Sequence, residues 1–210
     1  MSDSQVVAVR LQHALSSNGM PSPEDWQRSR PVSFDRDWQG KNEDPERQTE
    51  VRVLWSPEVL YLHFRCRYRS IHAFEDAEPG GRRDQLWERD VAEVFLQPDR
   101  LGTHYYKEFE VSPRGQWIDL EITPDSVQPL HSGLRRVVTS NQEKKEWVAQ
   151  LAIPMKVLAP GFDPATSWKV NFYRCEGVDP QRAYLAWRPT NSPKPNFHLP
   201  ASFGVLRFER

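Results

Sequence analysis

No stretch of the chain approaches the roughly 18 consecutive apolar residues of a membrane-spanning helix, and hydrophobic residues make up only 38% of it. A helical membrane span is therefore excluded. No run of about 12 residues carries apolar positions at the helical period, and no segment repeats at a fixed interval, so neither a helix bundle nor a solenoid is expected. There are only two cysteines, Cys66 and Cys175, and they do not form a Cys-x-x-Cys pair. That excludes a disulfide scaffold, and with no His pair at ligand spacing it leaves no zinc site. Both sit in alternating apolar runs and are expected as reduced, buried thiols. Charge of one sign is also missing. The formal net charge is −1, so the basic face that tracks a phosphate backbone is absent and no nucleic-acid partner is expected. The opening MSDSQVVAVRLQHALSSNGM lacks the basic segment and apolar run of a secretory leader. The expectation is a cytoplasmic protein as given, or an extracellular one if a leader has been removed.

What the chain does have is turns and aromatic rings. Eighteen prolines and ten glycines are spread through 210 residues, and eight tryptophans lift the aromatic content to 11%. Short elements joined by many turns favour an all-β domain, and a chain of this length can bury roughly 70% of its unfolded surface without staples.

Residues 1–48 show no sustained periodicity and read as an irregular lead-in packed on the domain; the domain itself is expected over 49–210. From TEVRVLW onward, alternation with period two takes over. In VLYLHFRCRY, the residues Leu60, Leu62, Phe64 and Cys66 share one face. In VAEVFLQ, Ala92, Val94 and Leu96 share a face opposite Val91, Glu93 and Phe95. In QWIDLEI, Ile118, Leu120 and Ile122 are expected inward and Trp117, Asp119 and Glu121 outward. YYKEFEVS, LRRVVTS, EWVAQLAI, WKVNFYRC, AYLAW and FGVLRF also read as strands, which brings the count to about ten. SPRGQ is a hairpin turn, and IPMKVL a single helical turn entered through Pro154. The fold class predicted is a two-sheet antiparallel β-sandwich, immunoglobulin-like or jelly-roll, with few short helical turns. Its shared core is expected to hold Leu60, Leu62, Phe64, Val94, Leu96, Ile118, Leu120 and Ile122.

The stretch DQLWERDVAEVFL places Trp87 just before a strand and Glu93 on the face away from the Ala92, Val94 and Leu96 stripe. An indole plate suits the apolar face of a sugar ring, and a carboxylate suits its hydroxyl edge. Packing of Trp87 on the sandwich and pairing of Glu93 with a cross-strand cation is the structural alternative. Asp90, at the strand mouth, is equally suited to backbone N–H groups, and His198 to solvent.

LWERDVAEVFLQPD, YYKEFEVSPRGQWIDLEI, EWVAQLAIPMKVL, WKVNFYRC and YLAWRPTNSPKPNFHLPASFGVLRF occur in this order, from about Trp55 to Phe208. In that arrangement the chain resembles the family 9 carbohydrate-binding modules and their DOMON-like relatives. The resemblance implies a β-sandwich that binds an oligosaccharide or polysaccharide at one edge without catalysis. It matches Trp87 to the first aromatic clamp, Glu93 to the acid that follows it, and Arg114 to the guanidinium that reads hydroxyls. Phe197 stands where the second clamp is expected, with Asn196 or Asn191 as the amide, and Trp187 is the alternative ring. Two other functions stay open. One is a glycoside hydrolase or lyase using paired carboxylates, which needs a pair about 5 to 9 Å apart. The other is a haem-binding electron carrier, for which Met155 is a candidate ligand. No cofactor is expected; the acidic positions Glu108, Glu110, Asp119 and Glu121 leave a structural calcium ion open as an alternative, although they lack EF-hand spacing. A separate protein partner stays open.

Overall fold

The computed structural model describes residues 4–15, 19–75, 78, 80–98 and 105–209. Thirteen strands form two layers. The first layer runs in the order β8 (Val127–Pro129), β7 (Trp117–Ile122), β6 (Tyr106–Val111), β5 (Val91–Gln97), β11 (Trp168–Glu176) and β13 (Gly204–Phe208). The second runs β3 (Thr49–Trp55), β4 (Val59–Arg67), β10 (Glu146–Pro154) and β9 (Arg135–Asn141), with β2 (Val32–Phe34) on the outer side of β3. β12 (Ala183–Ala186) pairs with the C-terminal half of β11, whose N-terminal half is taken by β13.

One strand joins the layers. Gln5 to Ala8 of β1 (Gln5–Arg10) pair parallel with β13, and Val9 and Arg10 pair parallel with β3. The sandwich is therefore mixed, with antiparallel pairing between the other named strands. The segment 1–48, expected as irregular, also carries α1 (Pro23–Gln27) and β2. A capping box between Ser22 and Asp25 starts α1, and Trp26 is buried against the second layer. β1 carries four consecutive apolar residues, Val6 to Val9, and β2 is only three residues long, so neither shows an alternation. The turn expected at IPMKVL is α2 (Met155–Leu158), and the SPRGQ hairpin closes through Ser112 and Gln116 with Gly115 at φ +82°. Among the described residues no helix is long and apolar enough to cross a membrane.

Alternation along β4, β10, β5 and β11 sends Leu62, Phe64, Leu151, Val94, Leu96 and Phe172 into the space between the layers, where Phe64 meets Phe172 edge-on at 6.0 Å. The expectation for β7 was inverted. Ile118, Leu120 and Ile122 lie on the outer face of the first layer, in a second cluster with Val91, Phe95, Tyr173 and Cys175. Loops bearing Phe197 and Phe203 cover that face, so β5 and β6 are buried on both sides. Where both faces are buried, alternation gives a strand's two sets but not which set faces the main core. Both cysteines are free and buried, and Cys66 is held between the layers. Met155, the haem ligand considered from sequence, is packed in the same core.

Candidate functional site

The outer face of the first layer carries a cavity of about 630 Å³. That volume is within the roughly 300–1,000 Å³ usual for small-molecule sites. Its floor takes one residue from each of four neighbouring strands: Leu120 of β7, Glu108 of β6, Glu93 of β5 and Cys175 of β11. Its rim is made by the turn at Trp87 to Arg89, the segment carrying Val178, Arg182 and Tyr184, and the loop from Pro195 to His198.

Trp87 sits in a short 3-10 turn, Leu86–Glu88, entered through a left-handed Gln85. Leu86 is fully buried and anchors the turn, while the Trp87 residue is 42% exposed. The Arg182 guanidinium donates to the backbone carbonyls of Trp87, Glu88 and Arg89. The result is an exposed ring on a fixed backbone, which costs little to order when something stacks on it. Asp90 holds the base of the same turn, accepting from the N–H groups of His72 and Gly177. It therefore positions the loops and stays off the cavity wall.

Glu93 projects from β5 onto the cavity side, as alternation predicts. Antiparallel register sets it directly opposite Glu110 of β6, with Glu108 two residues along the same face. The three side chains place one carboxylate oxygen each within 4.8 Å of one another. All are buried: Glu93 is 2%, Glu108 3% and Glu110 0% exposed. Directly opposed like charges are normally avoided in a sheet. Burial, reinforced by the neighbouring carboxylates, pushes the Glu93 and Glu110 carboxyls well above the ordinary range, and burial raises Glu108 too. Glu108 and Glu110 face each other closely enough to bond if one is protonated. As carboxylates, neither can donate. Glu93 receives one weak contact, from the Cys175 thiol at 3.5 Å.

Of the residues expected from sequence, the cavity gathers Trp87, Glu93, Asn196 and Phe197. Phe197 is not a free plate: it is 8% exposed and stacks on Tyr173 at 4.1 Å and 12°. The partly exposed aromatic on that wall is Tyr184. Asn196 is exposed and caps the loop by accepting from the His198 N–H. Trp187 is 4% exposed and packs against Phe172 between the layers, on the opposite side of the sheet. Arg114 also lies elsewhere. Its guanidinium reaches the Phe74 carbonyl and Glu75, in a separate shallow depression. Asn191 is exposed and outside the cavity.

The calcium expectation is redistributed in the same way. Asp119 is taken by Arg82 and the Ser132 N–H, and Glu121 by Tyr105 and Lys107, so neither joins Glu108 and Glu110. Sequence reading missed Arg182, Tyr184 and the meeting of Glu108 and Glu110 with Glu93. His198 is exposed, as expected, and it also lines the cavity and contacts the Tyr106 hydroxyl at 2.7 Å.

The model of carbohydrate-binding family 9 matches residues 36–208. A protein of Arthroderma benhamiae named as an extracellular protein is 23% identical over 185 residues, covering 80% of this chain and 81% of its own. A candidate carbohydrate-binding protein from Bacteroides uniformis has a similar fold, with a TM-score of 0.78 at 20% identity over 98% of this chain and 99% of that one. A family 9 module from Caldicellulosiruptor kristjanssonii in complex with glucose follows at a TM-score of 0.67 and 12% identity, covering 98% and 95%. A family 9 module from the same organism in complex with cellotriose gives 0.66 at 12% identity, covering 98% and 93%.

Proposed function

The chain belongs to carbohydrate-binding family 9, and from that premise we propose that the cavity over β5 and β6 is a non-catalytic saccharide seat. The observation that carries the reading is an exposed indole on a fixed backbone at the rim of a cavity whose floor includes the carboxyl groups of Glu93 and Glu108. Trp87 takes the C–H face of a sugar ring, and Tyr184 provides an aromatic edge across the cavity. Glu93 and Glu108 accept hydroxyl hydrogen bonds from below, with Asn196 and His198 reaching from the loop above. Few polar groups are needed when each is held in place, and here strands hold two of them. Similar modules are seen with glucose and cellotriose, which makes β-linked glucose oligomers the first ligands to try.

One observation favours a second reading. Carboxylate oxygens within 4.8 Å approach the roughly 5–5.5 Å separation of a retaining glycosidase pair. Glu93, Glu108 and Glu110 nevertheless rise from two adjacent strands of one floor, whereas an acid and a nucleophile must approach a glycosidic bond from its two sides. Calorimetric titration with glucose, cellobiose and cellotriose tests the saccharide seat. Binding that tightens from the monosaccharide to the oligomers, without release of new reducing ends, is the expected result. Failure to bind any sugar of a broad neutral and amino-sugar panel at 10 mM (about a thousandfold above the Kd of roughly 10 μM expected for a disaccharide) would end it.

A further inference from the structure

We propose that the seat continues past Trp87 into a second hollow at the end of the sandwich, and that the ligand is a sugar chain long enough to lie across both; this rests on the saccharide reading above. The second hollow, of about 660 Å³, is walled by Ile71 and His72 of the loop after β4, by Arg114 of the β6–β7 hairpin and by Gln142 of the β9–β10 hairpin. Arg89 and Val178 line this hollow and the seat alike, so the two adjoin across them.

Exposed apolar surface follows the same path. Six large apolar residues are exposed among the described residues, and four of them lie here: Trp87 and Val127 at the seat, Val178 at the boundary and Ile71 in the second hollow. Scattered exposed apolar residues need no explanation, but a run of them along two adjoining hollows marks a binding surface. The polar groups of the second hollow include two guanidinium donors. Among the described residues Arg89 meets no carboxylate; it lies over the Phe74 ring at 4.8 Å and gives one hydrogen bond, to the Glu88 carbonyl. Arg114 approaches Glu75 only to 3.9 Å, in a pair exposed on both sides, and such a pair holds its partners weakly. Guanidinium groups donate only, and sugar hydroxyl oxygens accept.

The path is also fixed in advance. Buried Asp90 accepts from the N–H groups of His72 and Gly177, and its own N–H donates to the His72 carbonyl. One residue thus ties the loop of the second hollow to the loop that carries Val178. A surface ordered beforehand loses little freedom when a chain lies down on it.

The test titrates the whole chain with cellobiose, cellotriose, cellotetraose and cellohexaose by calorimetry, beside Ile71→Ser and Arg114→Ala. The reading is the ratio of wild-type to variant affinity at each length, which cancels what a longer chain gains merely by offering more positions to bind. That ratio should stay near one with cellobiose and climb to about fivefold with cellohexaose in each variant, from lost apolar cover or a lost hydrogen bond. Both substituted side chains are exposed, so thermal unfolding should stay within about 2 °C of wild type. Gln142→Ala, on the exposed β9–β10 turn, gives the same reading without altering either loop. A ratio near one at every length, with cellohexaose bound, would overturn the second hollow and leave the seat intact. A ratio already at full size with cellobiose would overturn it too. Failure of every sugar in the series to bind wild type would overturn the seat for these sugars, and the second hollow with it.

Discussion

Truncating Trp87 to alanine should remove much of the binding while leaving a folded domain. At 42% exposure, an indole able to bury roughly 250 Å² offers about 100 Å² to a ligand. Covering half to all of it at about 25 cal/mol per Å² contributes roughly 1.3 to 2.6 kcal/mol. That is a loss of about 10- to 80-fold in affinity. A disaccharide of about 23 heavy atoms, at roughly 0.3 kcal/mol each, binds the intact seat with about −7 kcal/mol, or a Kd near 10 μM. The variant should then bind between about 0.1 and 0.8 mM. The stability cost follows from the other half of the ring. A fully buried tryptophan costs about 3–5 kcal/mol on truncation, so a residue a little over half covered should cost about 2–3. Calorimetry with cellobiose and urea unfolding of both proteins measure the two quantities. Unchanged affinity in Trp87→Ala, or a stability loss as large as that of a core tryptophan, would refute the assignment of Trp87 as a platform.

Trp187→Ala supplies the contrast: it should cost about 3–5 kcal/mol in urea unfolding yet leave sugar affinity within about twofold, because its ring packs between the layers. His63 predicts a pH dependence. Burial, with Arg52 and Arg65 nearby, lowers its pKa from 6.5 to about 4. The unfolded chain therefore takes up the proton first, so the stability held above pH 6.5 is lost as pH falls towards 4, by up to about 2 kcal/mol at pH 5. The difference between wild type and His63→Gln, measured at pH 7.5 and pH 5.0, should show that loss in the wild type alone. Cys66, whose thiol burial pushes up to about 11, should react with a thiol reagent only as fast as the domain unfolds. Rapid labelling of the native protein would contradict its place in the core.

Alternation made the central strands legible, because β4, β10 and β5 carry seven to nine residues each with a consistent apolar face. It could not orient β7, since the apolar set Ile118, Leu120 and Ile122 packs in a second cluster on the outer face of the layer instead of in the main core. Glu93 was legible for the same reason as β5: a carboxylate opposite an Ala-Val-Leu stripe must point away from the core. Glu108 and Glu110 were visible as acidic residues on one face of β6, but their meeting with Glu93 depends on which residues the strands pair, and register is not written in either strand alone. Trp187 and Arg114 were displaced for related reasons. Trp187 follows Ala186 on β12 and takes the opposite face, while the hairpin that carries Arg114 points it towards Phe74. Arg182 gave no signal, because what it binds is backbone carbonyls about 95 residues away.

The central claim is that this cavity is where a saccharide sits. The most direct measurement is a crystal structure of the chain soaked in cellotriose. The account predicts a pyranose ring stacked on Trp87, with hydroxyls within hydrogen-bond reach of Glu93 and Glu108. A saccharide bound at another face, with Trp87 and the carboxylate floor untouched, would contradict it.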